Sequence, residues 1–126
     1  MASIMLVDDD RDLTHLTKIA LAQKGYEVLV FNDAGKAIEE ARQRKPDMIF
    51  MDIMLPGISG GEAVRKLQKD PALKAIPVVF LTGLISHGEK DLEKEGISID
   101  GHNYPTLGKP YEIDDLLKVV AAALRK

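Results

Sequence analysis

At 126 residues, 45% hydrophobic and 29% charged, the chain has the composition of one folded domain and not of a disordered segment. It contains no cysteine, which excludes a disulfide framework and any thiolate metal site, and no apolar run approaches the roughly 18 residues that a membrane span needs. Lys and Arg number 17 against 20 Asp and Glu, a net charge of −3 without a basic block, so the chain has no electrostatic footprint for direct nucleic-acid binding.

Short apolar runs alternate with helical patterns along the chain. Ser3–Val7 reads as a buried strand. Leu13, Leu16, Ile19 and Ala20 then recur at helical spacing, with Gly25 placed to end that helix. Residues 26–31 form the next strand, and Ala34, Ala37, Ile38 and Ala41 mark a second helix closed by basic residues and Pro46. A third buried strand over 47–51 ends at Asp52, followed by the loop Met54-Leu55-Pro56-Gly57 and a helix over Gly60–Lys69. A fourth strand over 77–81 ends at Thr82. Residues 86–95 are strongly polar, with Leu92 nearly the one apolar side chain, so a helix there would hold weakly to a core. Ile97 to Tyr104 alternate about Asp100-Gly101, the signature of a type I′ hairpin turn. The hairpin leads into a last strand over 104–108, in which Pro105 cannot donate to a ladder and so predicts a sheet edge. Ile113, Leu116, Leu117, Val120 and Leu124 form the stripe of a C-terminal helix.

Parallel strands need crossover connections, and these are right-handed, so the pattern predicts an α/β domain with a doubly wound five-stranded sheet and helices on both faces. In such sheets ligands bind outside the carboxyl ends of the strands. Those ends are informative here. Strand one delivers Asp8 and Asp9, strand three Asp52, strand four Thr82 and strand five Lys109-Pro110. Carboxylates ~4 Å apart repel by about 4 kcal/mol at an effective dielectric near 20, so such a cluster needs a compensating cation, a shifted protonation state or open water. Oxygen ligands without Cys or His suit a hard cation such as Mg²⁺.

The set Asp8-Asp9, Asp52 within Met51-Asp52-Ile53-Met54-Leu55-Pro56-Gly57, Thr82 within Phe80-Leu81-Thr82-Gly83, and Lys109-Pro110 resembles the receiver domain of two-component response regulators. The resemblance covers essentially the whole chain and rests on five motifs in order. It implies a single receiver domain over 1–126 with the flavodoxin-like strand order 2-1-3-4-5. It implies that Asp52 accepts a phosphoryl group, forming an acyl phosphate. Asp9, with Asp8 acting through water, would hold Mg²⁺ together with Asp52 and the backbone carbonyl of Met54. Lys109 would pair with a phosphoryl oxygen, Thr82 would donate its hydroxyl to another, and the peptide before Pro110 would be cis. The donor would be a sensor histidine kinase or a phosphotransfer protein. The output would be an effector protein or a domain outside this sequence, reached through the surface of the fourth and fifth strands and their helices, with a phosphorylation-dependent dimer as one form of it. Beyond its own phosphoryl transfer and loss, such a domain is not an enzyme.

One position departs from the pattern. Where the family carries an aromatic three residues before the lysine, this chain has Thr106, and Tyr104 faces the same side by strand periodicity and is the candidate to replace it. Met54 and Leu84 fall where the family's side chains flank the path of attacking water, and both being apolar predicts slow self-dephosphorylation.

Other residues carry plainer readings. Asp10 and Asp12 suit a helix cap and first turn, and Pro56-Gly57 suits a turn. His15, His87 and His102 have no partner at metal-ligand spacing. A Mg²⁺-dependent phosphohydrolase is the enzyme-class alternative, disfavoured because neither a cap nor a general acid accompanies Asp52. A receiver used as a constitutive docking module is the other alternative. An early Asp8, too soon for a secretory signal, fits a cytoplasmic protein.

Overall fold

The computed structural model describes residues 2–55, 57–83 and 96–124. In chain order the elements are β1 (Ser3–Val7), α1 (Arg11–Gln23), β2 (Glu27–Phe31), α2 (Ala34–Arg44), β3 (Met48–Asp52), α3 (Gly60–Lys69), β4 (Val78–Thr82), β5 (Ile97–Ile99), β6 (His102–Tyr104), β7 (Thr106–Gly108) and α4 (Ile113–Leu124). Five strands form a parallel sheet in the order β2-β1-β3-β4-β7, the doubly wound arrangement expected from the alternation of strands and helices. β3 and β4 are buried at every position and β1 at all but its first. Covered on both faces, they read as unbroken apolar runs, with no polar residue alternating in.

Three of the helices begin at a side-chain cap. Asp10, Asp33 and Ser59 accept hydrogen bonds from the backbone N–H of Leu13, Lys36 and Glu62 at 3.1, 3.0 and 3.2 Å. Each cap contributes about 1 kcal/mol. α2 and α3 close one face of the sheet through Ala34, Ala37, Ile38, Ala41, Ala63, Val64 and Leu67, over Met5, Val7, Ile49, Met51 and Phe80. α1 and α4 close the other through Leu21, Leu116 and Val120, over Ile4, Leu6, Phe50 and Leu81.

Two elements differ from their sequence-based expectation. In α1 the buried residues are Thr14, Thr17 and Leu21, whereas Leu16 and Ile19 are 63% and 45% exposed. The apolar spacing marks the helix but not its inner face, because the inward threonines find hydroxyl partners. Thr14 Oγ1 donates to the Arg11 carbonyl, and Thr17 Oγ1 lies 2.7 Å from the Tyr111 hydroxyl. The last strand, expected over 104–108, breaks at Pro105 into β6 and β7, and β7 alone joins the main sheet, at its edge. β5 and β6 form the expected antiparallel hairpin, with Asp100 and Gly101 at φ of 51° and 84°, both in the left-handed region that a type I′ turn requires. The polar segment over 86–95, with Leu84 and His87, lies outside the described residues.

Candidate functional site

The site is built where β1, β3, β4 and β7 end together. Asp8 continues β1 by one residue, its N–H donating to the Phe31 carbonyl at 3.0 Å, and its side chain is only 2% exposed. Asp52 is the last residue of β3 and is 3% exposed. Thr82 ends β4 and is buried, in register with Gly108 of β7. Lys109 follows immediately, its N–H donating to the Thr82 carbonyl at 2.8 Å. Residues 101 positions apart thus meet because parallel neighbours in the sheet end at the same level.

The Lys109 ammonium donates to Asp8 Oδ2 at 3.0 Å and to Asp52 Oδ2 at 2.9 Å. The remaining oxygens are also engaged. Asp8 Oδ1 accepts from the Asp10 N–H, and Asp52 Oδ1 from the Met54 N–H, each at 3.0 Å. Asp9 is exposed at the mouth, and ligand atoms of Asp8, Asp9 and Asp52 all lie within 4.8 Å of one another. Burial raises the Asp8 carboxyl above the usual carboxylate range and the Asp52 charge adds to that, outweighing the bonds from Asp10 and Lys109 that pull it down. For Lys109 burial acts downward, but hydrogen bonds to Asp52 and Asp8 outweigh it and hold the ammonium above the ordinary lysine value. One ammonium against three carboxylates leaves the pocket electronegative. The donor set, all oxygen and two-thirds buried, fits a hard divalent cation such as Mg²⁺.

The structure therefore brings together Asp8, Asp9, Asp52 and Lys109, with Thr82 beside them. The Lys109–Pro110 peptide is cis. Met54 offers its backbone at the pocket, while its side chain is 65% exposed. Thr106 is buried in register with Phe80, two positions below Thr82. Tyr104 stands apart, on β6. Its ring meets Phe80 edge-on at 5.7 Å and 81°, and its hydroxyl accepts from Gln68 Nε2 of α3 at 2.7 Å. His15 and His102 are exposed and belong to no such cluster.

Three features of the site's surroundings carry no signal in the sequence. Gly60 opens α3 hard against the end of β3: its N–H donates to the Ile53 carbonyl at 3.1 Å, and a Cβ there would fall 2.7 Å from the Asp52 carbonyl oxygen. The Thr17–Tyr111 and Gln68–Tyr104 bonds join residues 94 and 36 positions apart, beyond the reach of local periodicity.

A parallel 2-1-3-4-5 sheet with an acidic pocket and a lysine at its carboxyl edge defines a class. The chain belongs to the response regulator receiver domain family, whose model matches residues 4–121. Protein PilH of Pseudomonas aeruginosa is 36% identical over 98% of this chain and 98% of its own length. The phosphate regulon transcriptional regulatory protein PhoB of the same organism is 35% identical over 98% of this chain, which spans only 52% of PhoB. Several other regulators it matches are likewise about twice its length. Among solved structures, the chemotaxis protein CheY4 of Vibrio cholerae superposes with a TM-score of 0.82 at 27% identity, covering 98% of this chain and 99% of that one. The protein is therefore a receiver domain of two-component response regulators, a class of signalling domains that in general are not enzymes. Among the described residues no helix is long and apolar enough to cross a membrane.

Proposed function

We propose that Asp52 accepts a phosphoryl group from a partner histidine kinase or phosphotransfer protein in a Mg²⁺-dependent reaction, within a single cytoplasmic domain spanning 1–126. The observation that carries this reading is the Lys109 ammonium held between Asp8 and Asp52 at 3.0 and 2.9 Å, with Asp9 at the open side. A carboxylate oxygen of Asp52 forms the new O–P bond while the donor's bond to phosphorus breaks, and the departing electron pair stays on the donor's imidazole nitrogen. Asp52 is presented for attack because the Met54 N–H fixes one oxygen and Lys109 the other. Lys109 then follows the charge onto a phosphoryl oxygen, and the Thr82 hydroxyl turns inward to donate to another. Asp9 and Asp52, the Met54 carbonyl, and Asp8 through water would hold Mg²⁺, which when bound supplies charge neutralisation for the incoming phosphoryl oxygens. Catalysis on this chain is therefore a matter of placement and charge.

The phosphorylated state is read on the surface of β4, β7 and their helices, by an effector or by a second copy of the domain. Thr82, Phe80 and Thr106 share one face of the sheet, and Tyr104 lies over Phe80. Inward movement of Thr82 is thereby felt by the aromatic that stands in for the family's switch residue. The test is incubation with Mg²⁺ and acetyl phosphate followed by intact mass. The wild type should gain one phosphoryl group and Asp52→Asn none; an equal gain in both, or in neither, overturns the proposal.

A further inference from the structure

Between β7 and α4 the chain makes a turn over residues 109–112, and Lys109 is its first residue. The Lys109 backbone is fixed by its bond to the Thr82 carbonyl at 2.8 Å, but the direction in which its side chain leaves depends on where the rest of the turn sits. Besides the Lys109 ammonium's own bonds to Asp8 and Asp52, the turn is tied to another element by the side chain of Tyr111. Its hydroxyl lies 2.7 Å from Thr17 Oγ1, and Thr17 is fully buried in the middle of α1. The tyrosine ring lies against the core cluster of Leu21, Leu116 and Val120, so the bond is made by a ring already held in place.

α1 is not a neutral anchor. Its N-cap, Asp10, donates its backbone N–H to Asp8 Oδ1 at 3.0 Å, so the helix starts inside the acidic loop. Thr17 lies about two helical turns further along the same rigid element. The Thr17–Tyr111 bond therefore ties the helix whose N-cap bonds Asp8 to the turn that carries the ammonium.

We propose that Tyr111, through Thr17, is a positioning residue for Lys109, holding its ammonium between Asp8 and Asp52 for phosphoryl transfer. This rests on the reading of Asp52 as phosphoryl acceptor. Burial raises the Tyr111 hydroxyl above the ordinary tyrosine value, against the lowering effect of the Thr17 bond, and the Asp8 charge adds to the rise. The hydroxyl is thus protonated at neutral pH. A displacement of 1 Å in a reacting group can cost ~10²-fold in rate, so a partial relaxation of the turn should cost about tenfold.

The experiment compares wild type, Tyr111→Phe, Thr17→Val and Thr17→Ser, with acetyl phosphate as donor and Mg²⁺ at saturation, reading the phosphorylation rate by intact mass. Tyr111→Phe and Thr17→Val should each slow the reaction about tenfold, with the double variant no slower than either, and Thr17→Ser, which keeps the hydroxyl, should retain the wild-type rate. In a Lys109→Ala background Tyr111→Phe should change the rate less than about twofold, because the group being aimed is gone. Mg²⁺ affinity by calorimetry should stay within about twofold of wild type, since the carboxylates keep their own bonds. In the metal-free protein the Lys109 side-chain NMR signals should shift in both Tyr111→Phe and Thr17→Val. A wild-type rate in Tyr111→Phe, or an equal slowing with and without Lys109, overturns the proposal. If the wild type itself gains no phosphoryl group, the reading of Asp52 fails, and unshifted Lys109 signals would then independently overturn the positioning role.

Discussion

The strand-end pocket and the β5–β6 hairpin are held together in opposite ways. The pocket assembles Asp8, Asp52, Thr82 and Lys109 from four strands and buries their polar groups. The hairpin is local: Ile97 to Tyr104 pair about a two-residue turn, and exposed contacts such as Arg65 Nε to Asp100 Oδ2 at 3.1 Å attach it to α3. Burying like charge costs stability and yields chemistry, whereas satisfying a turn yields stability and no chemistry. Substitutions should therefore move phosphorylation in one region and only folding in the other.

The largest effect is expected at Lys109. Lys109→Ala should slow phosphorylation by acetyl phosphate ~10²-fold. In the metal-free protein it should also cost about 3 kcal/mol by urea unfolding, since two buried carboxylates lose their cation. Unchanged metal-free stability would break the contrast at its base.

Asp8→Asn sharpens it in the other direction. Because burial raises the Asp8 carboxyl in the folded state, ionising it opposes folding. The stability this group contributes is complete below the ordinary value of 3.8 and is lost as pH rises through the raised folded value. At neutral pH and in EDTA, Asp8→Asn should gain roughly 1 kcal/mol. Its stability should fall less than that of wild type between acid and neutral pH, while Mg²⁺ affinity drops on the order of tenfold. A variant that is no more stable than wild type in EDTA would show that Lys109 fully neutralises the pocket.

In the hairpin, Gly101→Ala places a side chain at φ 84° with open space around it, so the cost is conformational alone. About 1 kcal/mol in the urea midpoint is expected, with the phosphorylation rate unchanged. Arg65→Ala should do least. Arg65 and Asp100 are both largely exposed, and the midpoint should not move measurably at physiological salt.

The two regions also differ in how they could be foreseen. Each pocket residue sits at the end of its own apolar run, so sheet topology alone carries Asp8, Asp52, Thr82 and Lys109 to one edge. The hairpin was legible because Asp-Gly demands positive φ. What the sequence could not disclose were contacts between residues that no pair of strand ends brings together. The inward face of α1 follows the hydroxyl of Tyr111, not the spacing of Leu16 and Ile19. Tyr104 could be assigned a side by periodicity, but its bond to Gln68 depends on how α3 lies across the sheet. The break at Pro105 was half visible: the missing N–H announced an edge, and the same lack ended the strand.

Gly60 has a consequence for how this domain can diverge. With the Asp52 carbonyl occupying the space a Cβ would need, α3 cannot begin with any other residue unless it lifts away from β3. The rim of the pocket is in effect a hoop of fixed circumference, closed by a residue with nothing to spare. If position 60 were randomised and the pool sorted for metal-dependent phosphoryl uptake, the survivors should carry glycine alone.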